Sequence, residues 1–226
     1  MKIESELKMK IKHIAFLFSL FSILSACHSF ELKEGDLLFQ DLDCGPMCDA
    51  IEAVTNGIDN YNFSHVALIV SHHDTLFALE AISAGVVLTP VADFLNRSLD
   101  TNGQPKVLVA RLTEKYKSLN SDAVSYAKSR LGYPYDELFL TDNQAYYCSE
   151  LLYEAYKHAN NSNDFFSLMP MTFKSNESTG FFPVWKMYYN DLNAPIPEGK
   201  PGLNPGGMST SDKIYIVHQY GQISKK

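Results

Sequence analysis

A chain of 226 residues with 46% hydrophobic and 20% charged side chains is long enough to bury one sizeable core. Its net charge of −7 lacks the basic footprint of a nucleic-acid binder, so no nucleic-acid partner is expected.

The chain opens with a basic stretch (Lys2, Lys8, Lys10, Lys12) followed by an apolar run over 14–26, "IAFLFSLFSILSA", too short for an ordinary spanning helix. It ends in "LSAC" (24–27), which resembles the bacterial lipobox, in which the cysteine is diacylated and becomes the mature N-terminus. The expectation is a lipoprotein signal peptide over 1–26, lipidation at Cys27 and a single domain over 27–226. The protein is then exported and anchored by lipid to the cell membrane, facing the periplasm or the surface. The alternative is a plain secretory signal. Without residues 1–26 the chain loses four Lys and two Glu and its net charge becomes −9. The tether therefore works through acyl chains, each buried methylene contributing about 0.8 kcal/mol, and not through attraction to anionic lipid.

The body then reads in order. "ELKEGDLLFQ" (31–40) is a turn at Gly35-Asp36 and a short apolar strand. In "DLDCGPMCDAIEAVTNG" (41–57), Met47, Ile51, Val54 and Ile58 follow a helical period that stops at Gly57. "SHVALIV" (64–70) and "TLFALEA" (75–81), joined by the polar "SHHD", predict a β-hairpin. "GVVLTPVADFL" (85–95) predicts a third strand and a helical turn after Pro90, and "KVLVARL" (106–112) a fourth strand. Helices are predicted over 118–132 and, strongly amphipathic, over 146–159. The last 65 or so residues read as irregular, with a loop over 194–207 and a closing strand over 213–221. This order implies an α+β domain, an antiparallel sheet packed against helices.

Four cysteines are present. With Cys27 lipidated, three remain, and an odd thiol in an exported protein calls for explanation. Cys44 and Cys48 are close enough in sequence to pair locally, to remain thiols or to line a cleft; a CxxxC without a second ligand pair does not make a zinc site, and no metal is expected. Cys148, in "YYCSELLYEAY" (146–156), shares a helical face with Leu152 and Ala155, so packing alone reads it as a core residue. It also stands where a helix begins, the position that favours a thiolate when an imidazolium is near.

Of the histidines, His65 is the anomaly, an imidazole opening an apolar strand. A hairpin turn centred between His72 and His73 sets it opposite Glu80, with Ala67 opposite Ala78 and Ile69 opposite Leu76. Opposed side chains lie about 5 Å apart. Glu80 is itself out of place inside "LFALEAI". A carboxylate on one imidazole nitrogen fixes the tautomer and leaves the other nitrogen for a thiol. The structural alternative is a buried His–Glu pair without catalysis.

Taken together, "GDLLF" (35–39), "SHVAL" (64–68), "LEA" (79–81), "GYPYD" (132–136) and "YYCSELLYEAY" resemble the permuted papain-fold cysteine hydrolases, the YiiX/YaeF-like relatives of the NlpC cell-wall peptidases. The resemblance runs from about Gly35 onward. It implies a circularly permuted papain-like fold, sheet or barrel against helices, with the histidine strand ahead of the cysteine helix. It also implies Cys148 as nucleophile, His65 as general base and then acid, and Glu80 as the residue orienting the imidazole. Asp36 and Tyr135 would line the substrate site or fix one of its loops, Tyr147 would line the site, and the backbone N–H of Cys148 would serve the oxyanion. No cofactor is called for. The substrate partner would be a peptide or acyl amide of the cell envelope: murein stem peptides by the NlpC likeness, or lipid esters and N-acyl groups by likeness to the lecithin-retinol acyltransferase type. A silent binding lipoprotein is the reading from another class.

Overall fold

Leu37–Gln40 (β1) follows the Gly35–Asp36 turn, and all four residues are buried, which only an interior strand permits. In the computed structural model, which describes residues 30–141, 143–175 and 180–226, β1 is flanked by β2 (His65–His72) and β5 (Val107–Leu112). Beyond β2 lie β3 (Thr75–Ile82) and β4 (Gly85–Pro90); beyond β5 lies β8 (Ile214–Gln219). The order is β4-β3-β2-β1-β5-β8 and every neighbouring pair is antiparallel. The sheet stays open. It does not close into the barrel that the resemblance allowed, since β4 and β8 remain as edges, and β4 ends in Pro90, which has no N–H to extend a ladder. Residues 1–26 and Cys27 lie outside the described residues.

Both faces of the central strands are sealed. Leu37, Phe39, Leu68, Val70, Leu79 and Ala110 join a core with α3 (Asn120–Lys128) and α4 (Cys148–Ala159), while Leu38, Ala67, Ile69 and Val109 on the alternate positions are also fully buried. Gly35 and Gly85 carry positive φ. At Gly85 (φ 97°) a Cβ would sit 2.4 Å from the carbonyl oxygen of Tyr133, because Val86 donates to that oxygen at 2.9 Å. This close approach ties the start of β4 to the 133–146 segment.

The β2–β3 hairpin differs from its predicted register. Its turn is His73-Asp74, both in the left-handed region (φ 48° and 59°), so Leu68 pairs with Leu79 and Ile69 with Ala78. The pairing of His65 directly opposite Glu80, with Ile69 opposite Leu76, is therefore corrected by two residues. The cause is turn chemistry: Asp74 accepts a positive φ that sequence symmetry about His72-His73 did not anticipate. A shift of two keeps side chains on the same face, and Glu80 remains diagonal to His65.

The C-terminal third is also more ordered than its composition implies. It holds α5 (Pro183–Asp191), α6 (Pro205–Ser209) and a small ladder between β6 (Met169–Pro170) and β7 (Pro201–Gly202). Both helices begin on proline, whose missing N–H costs nothing at a first helical position. Trp185 and Tyr189 of α5 pack with Phe173 and with Ala50 of α1 (Pro46–Val54) in a second core.

Candidate active site

Three elements converge on Cys148. It is the first residue of α4, where backbone N–H groups lack intrahelical acceptors. Tyr147 is the extended N-cap residue, and its N–H donates to the Glu150 carboxylate at 3.3 Å, an acid in the first turn where the helix dipole favours one. The helix start is clamped from outside by Leu203: its N–H donates to the Tyr147 hydroxyl at 3.2 Å, and its carbonyl accepts from Ser149 Oγ at 2.9 Å. Cys148 is 8% exposed and is the free cysteine of the described residues, since Cys44 and Cys48 form a disulfide.

His65, the first residue of β2, is 5% exposed. Its Nε2 lies 2.6 Å from Glu80 Oε2, and the ring shares one cavity wall with Cys148. With Nε2 committed to the carboxylate, Nδ1 is the nitrogen left for the thiol. Burial on its own lowers an imidazole pKa. Here the hydrogen bonds and charges of Cys148 and Glu80 outweigh it and push His65 up to about 9.

Glu80 is fully buried. Burial raises a carboxyl pKa, but the hydrogen bond and charge of His65, then the Arg97 charge and the Thr89 hydroxyl, hold it down at about 2. Arg97 Nη2 stands 2.7 Å from each carboxylate oxygen, and Thr89 Oγ1 donates to Oε1 at 2.5 Å. Neither Arg97 nor Thr89 was evident in the sequence. Thr89 had a signal, since the β3–β4 hairpin sets Glu80 opposite Val87 and Thr89 two residues on, along the same face.

Cys148 and His65 open on a cavity of about 500 Å³. Met47 and Ile51 of α1, Phe139, Met171, Phe173 and Trp185 are among the apolar residues of its wall. Tyr135 and Tyr147 line it, as does the Cys44–Cys48 disulfide. Leu203, Asn204 and Pro205 border it, from a segment read as a loop. The lining contains Glu137 and neither Lys nor Arg.

Asp36 is placed elsewhere. It is absent from the lining and buried, with Arg111 Nε and Nη2 donating to its two oxygens at 2.6 and 3.0 Å and the Lys33 N–H at 2.8 Å. A carboxylate so occupied has no acceptor site turned toward substrate. Of the two roles the resemblance implied for it, lining the site or fixing a loop, these contacts fit the second, at the turn that starts β1.

A histidine strand that precedes the cysteine helix, with Cys148 and His65 on one cavity and the imidazole bonded to a carboxylate, fits a papain-like fold whose chain has been permuted. The family model described as "Permuted papain-like amidase enzyme, YaeF/YiiX, C92 family" matches residues 31–218, and the chain belongs to this family. Among solved structures it is similar to one titled "Crystal structure of metalloprotein yiiX from Escherichia coli O157:H7, DUF1105", with a TM-score of 0.68 and 21% identity over 85% of this chain and 100% of that one. That likeness concerns the fold. No curated protein matches the chain. Among the described residues no three His, Cys, Asp or Glu side chains form a group that could hold a metal ion.

Proposed function

We propose that this cysteine amidase hydrolyses an amide whose acyl part is apolar, at the cell envelope, tethered there by lipid on Cys27. The observation that carries this reading is the cavity. It adjoins Cys148, has room for a small ligand or acyl chain, and offers Met, Ile, Phe and Trp with a single carboxylate. Stem peptides carry carboxylates that would seek a cation, and the lining has no Lys or Arg, so the murein substrate suggested by the NlpC likeness fits this cavity less well.

The chemistry follows from the contacts. Cys148 Sγ attacks the acyl carbon while the proton of the thiol resides on His65 Nδ1. The oxyanion meets the Cys148 N–H at the start of α4. The C–N bond breaks, His65 returns the proton to the leaving amine, and a thioester remains. Water then attacks with His65 as base, the C–S bond breaks, and a carboxylic acid and the thiol are released. Glu80 holds the ring in one tautomer throughout.

The test is a ladder of N-acyl amides of increasing chain length beside soluble stem peptides, assayed with wild type and Cys148→Ala. Each methylene entering the cavity contributes about 0.8 kcal/mol, so kcat/KM rises about fourfold per methylene until the cavity is full. A flat ladder with turnover of stem peptides would overturn the reading.

A further inference from the structure

The Glu80 carboxylate makes more bonds than orienting one imidazole requires. Arg97, the residue following α2 (Val91–Asn96), bonds both of its oxygens through one nitrogen. Arg97 is itself held. Its guanidinium carbon lies 4.5 Å from the centroid of Phe94, whose ring stands 6.0 Å from that of His65. Phe94 is fully buried, and its carbonyl accepts from Gln40 Nε2 of β1 at 2.8 Å. The sheet thus fixes α2, and α2 sets Arg97 against Glu80. At 27% exposure, the Arg97 side chain also reaches solvent from a carboxylate that does not.

We propose that Arg97 is a positioning residue for the amidase reaction: it locks the Glu80 carboxylate in the rotation that presents Oε2 to His65, with Thr89 holding Oε1 from β4. An ionised carboxylate accepts along several directions and turns freely unless both oxygens are engaged. A nitrogen bonded to both pins its plane. Without it each oxygen keeps one side-chain partner, Thr89 on Oε1 and His65 on Oε2, and the carboxylate twists toward the solvent-facing space Arg97 vacates. The polar groups around Glu80 are His65 from β2, Arg97 beyond α2 and Thr89 from β4, with Cys148 from α4 behind His65. The inference rests on reading Cys148 and His65 as the reacting pair.

Two roles for Arg97 predict opposite signs. A plain counter-charge weakens the pull of Glu80 on the His65 proton, so its removal raises the pH at which His65 deprotonates. A positioning residue, once removed, frees the carboxylate and lowers that pH. The experiment is a nuclear magnetic resonance titration of the His65 ring in the full chain, labelled at histidine, for wild type, Arg97→Ala and Arg97→Lys. In Arg97→Ala the midpoint is expected to fall by about one pH unit toward the ordinary histidine value. Arg97→Lys keeps the charge but not the two-oxygen grip and is expected to fall in between. An unchanged or raised midpoint in Arg97→Ala overturns the proposal. If that variant does not fold, Arg97→Lys decides alone, since a counter-charge role leaves its midpoint where wild type has it. The titration needs no substrate, so a failed amide ladder would sink the proposed substrate class and leave this result standing.

Discussion

His65 Nε2 and Glu80 Oε2 lie 2.6 Å apart although their residues are not paired across the hairpin: the register that joins Leu68 to Leu79 sets Ala67, and not His65, level with Glu80. The bond is a diagonal one, spanned by a long side chain and pinned from behind by Arg97 and Thr89. Glu80→Gln keeps a hydrogen-bond partner for the ring but loses its charge and leaves Arg97 without a counter-ion. Turnover is expected to drop by about ten- to a hundredfold, against about a thousandfold or more for His65→Ala. Steady-state kinetics on one amide will check the order; equal losses would mean Glu80 acts through its charge alone.

Cys148→Ala is expected to abolish turnover, by at least about a thousandfold, while the variant unfolds within a few degrees of wild type, since one small side chain is trimmed. In the absence of reductant, alkylation followed by mass spectrometry should modify Cys148 and spare Cys44 and Cys48. Full activity in the alanine variant would remove the nucleophile assigned here.

Stability should depend on pH at both ends. On folding, His65 rises from an ordinary 6.5 to about 9, so its contribution is complete below pH 6.5 and lost as pH climbs through about 9. Glu80 falls from 4.5 to about 2, so its contribution is complete above pH 4.5 and lost as pH drops through about 2. Both act together between pH 4.5 and 6.5. Urea midpoints across pH will show both losses, superposed on a decline between pH 4.5 and 7 from Glu52, whose carboxyl burial pushes up to about 7, and His65→Asn should flatten the arm near pH 9. A wild-type midpoint that holds steady between pH 6.5 and 9.5 contradicts the imidazolium assigned to the folded state.

Ile51 of α1 faces the cavity and is half-buried, so Ile51→Phe adds volume into empty space and not into a packed core. The variant should process short acyl amides at near wild-type rates and lose the longest ones, read as a leftward shift of the chain-length optimum. An unshifted optimum would place the acyl chain elsewhere.

Much of this was legible from periodicity. The strand positions from β1 to β5, the amphipathic α4 and the oddity of His65 and Glu80 within apolar runs are local signals, and each appears in the fold. What stayed hidden depends on contacts distant in sequence. Arg97 reads as a solvated charge after a short helix; only the packing of Phe94 on the sheet turns it toward Glu80. Leu203 acts through its backbone, which no side-chain pattern reports. For Asp36 the sequence left lining the site and fixing a loop both open, because the partner that decides, Arg111, stands 75 residues away. For α5 and α6 a local signal did exist, in Phe182-Pro183 and Asn204-Pro205, but the surrounding Pro, Gly and Asn masked it.

The Cys44–Cys48 disulfide has a practical consequence at the bench. Cys44 is exposed, so thiol reagents reach the bridge, and the bridge forms part of the wall of the cavity that Cys148 opens on. Reductant added to protect Cys148 from oxidation also acts on the scaffold that shapes the cavity. Two preparations that share the same Cys148 thiol and differ only by the two hydrogens of the reduced bridge are then expected to rank the same substrates differently. Reductant concentration belongs among the assay variables to be titrated, and the state of the bridge should be recorded beside every rate.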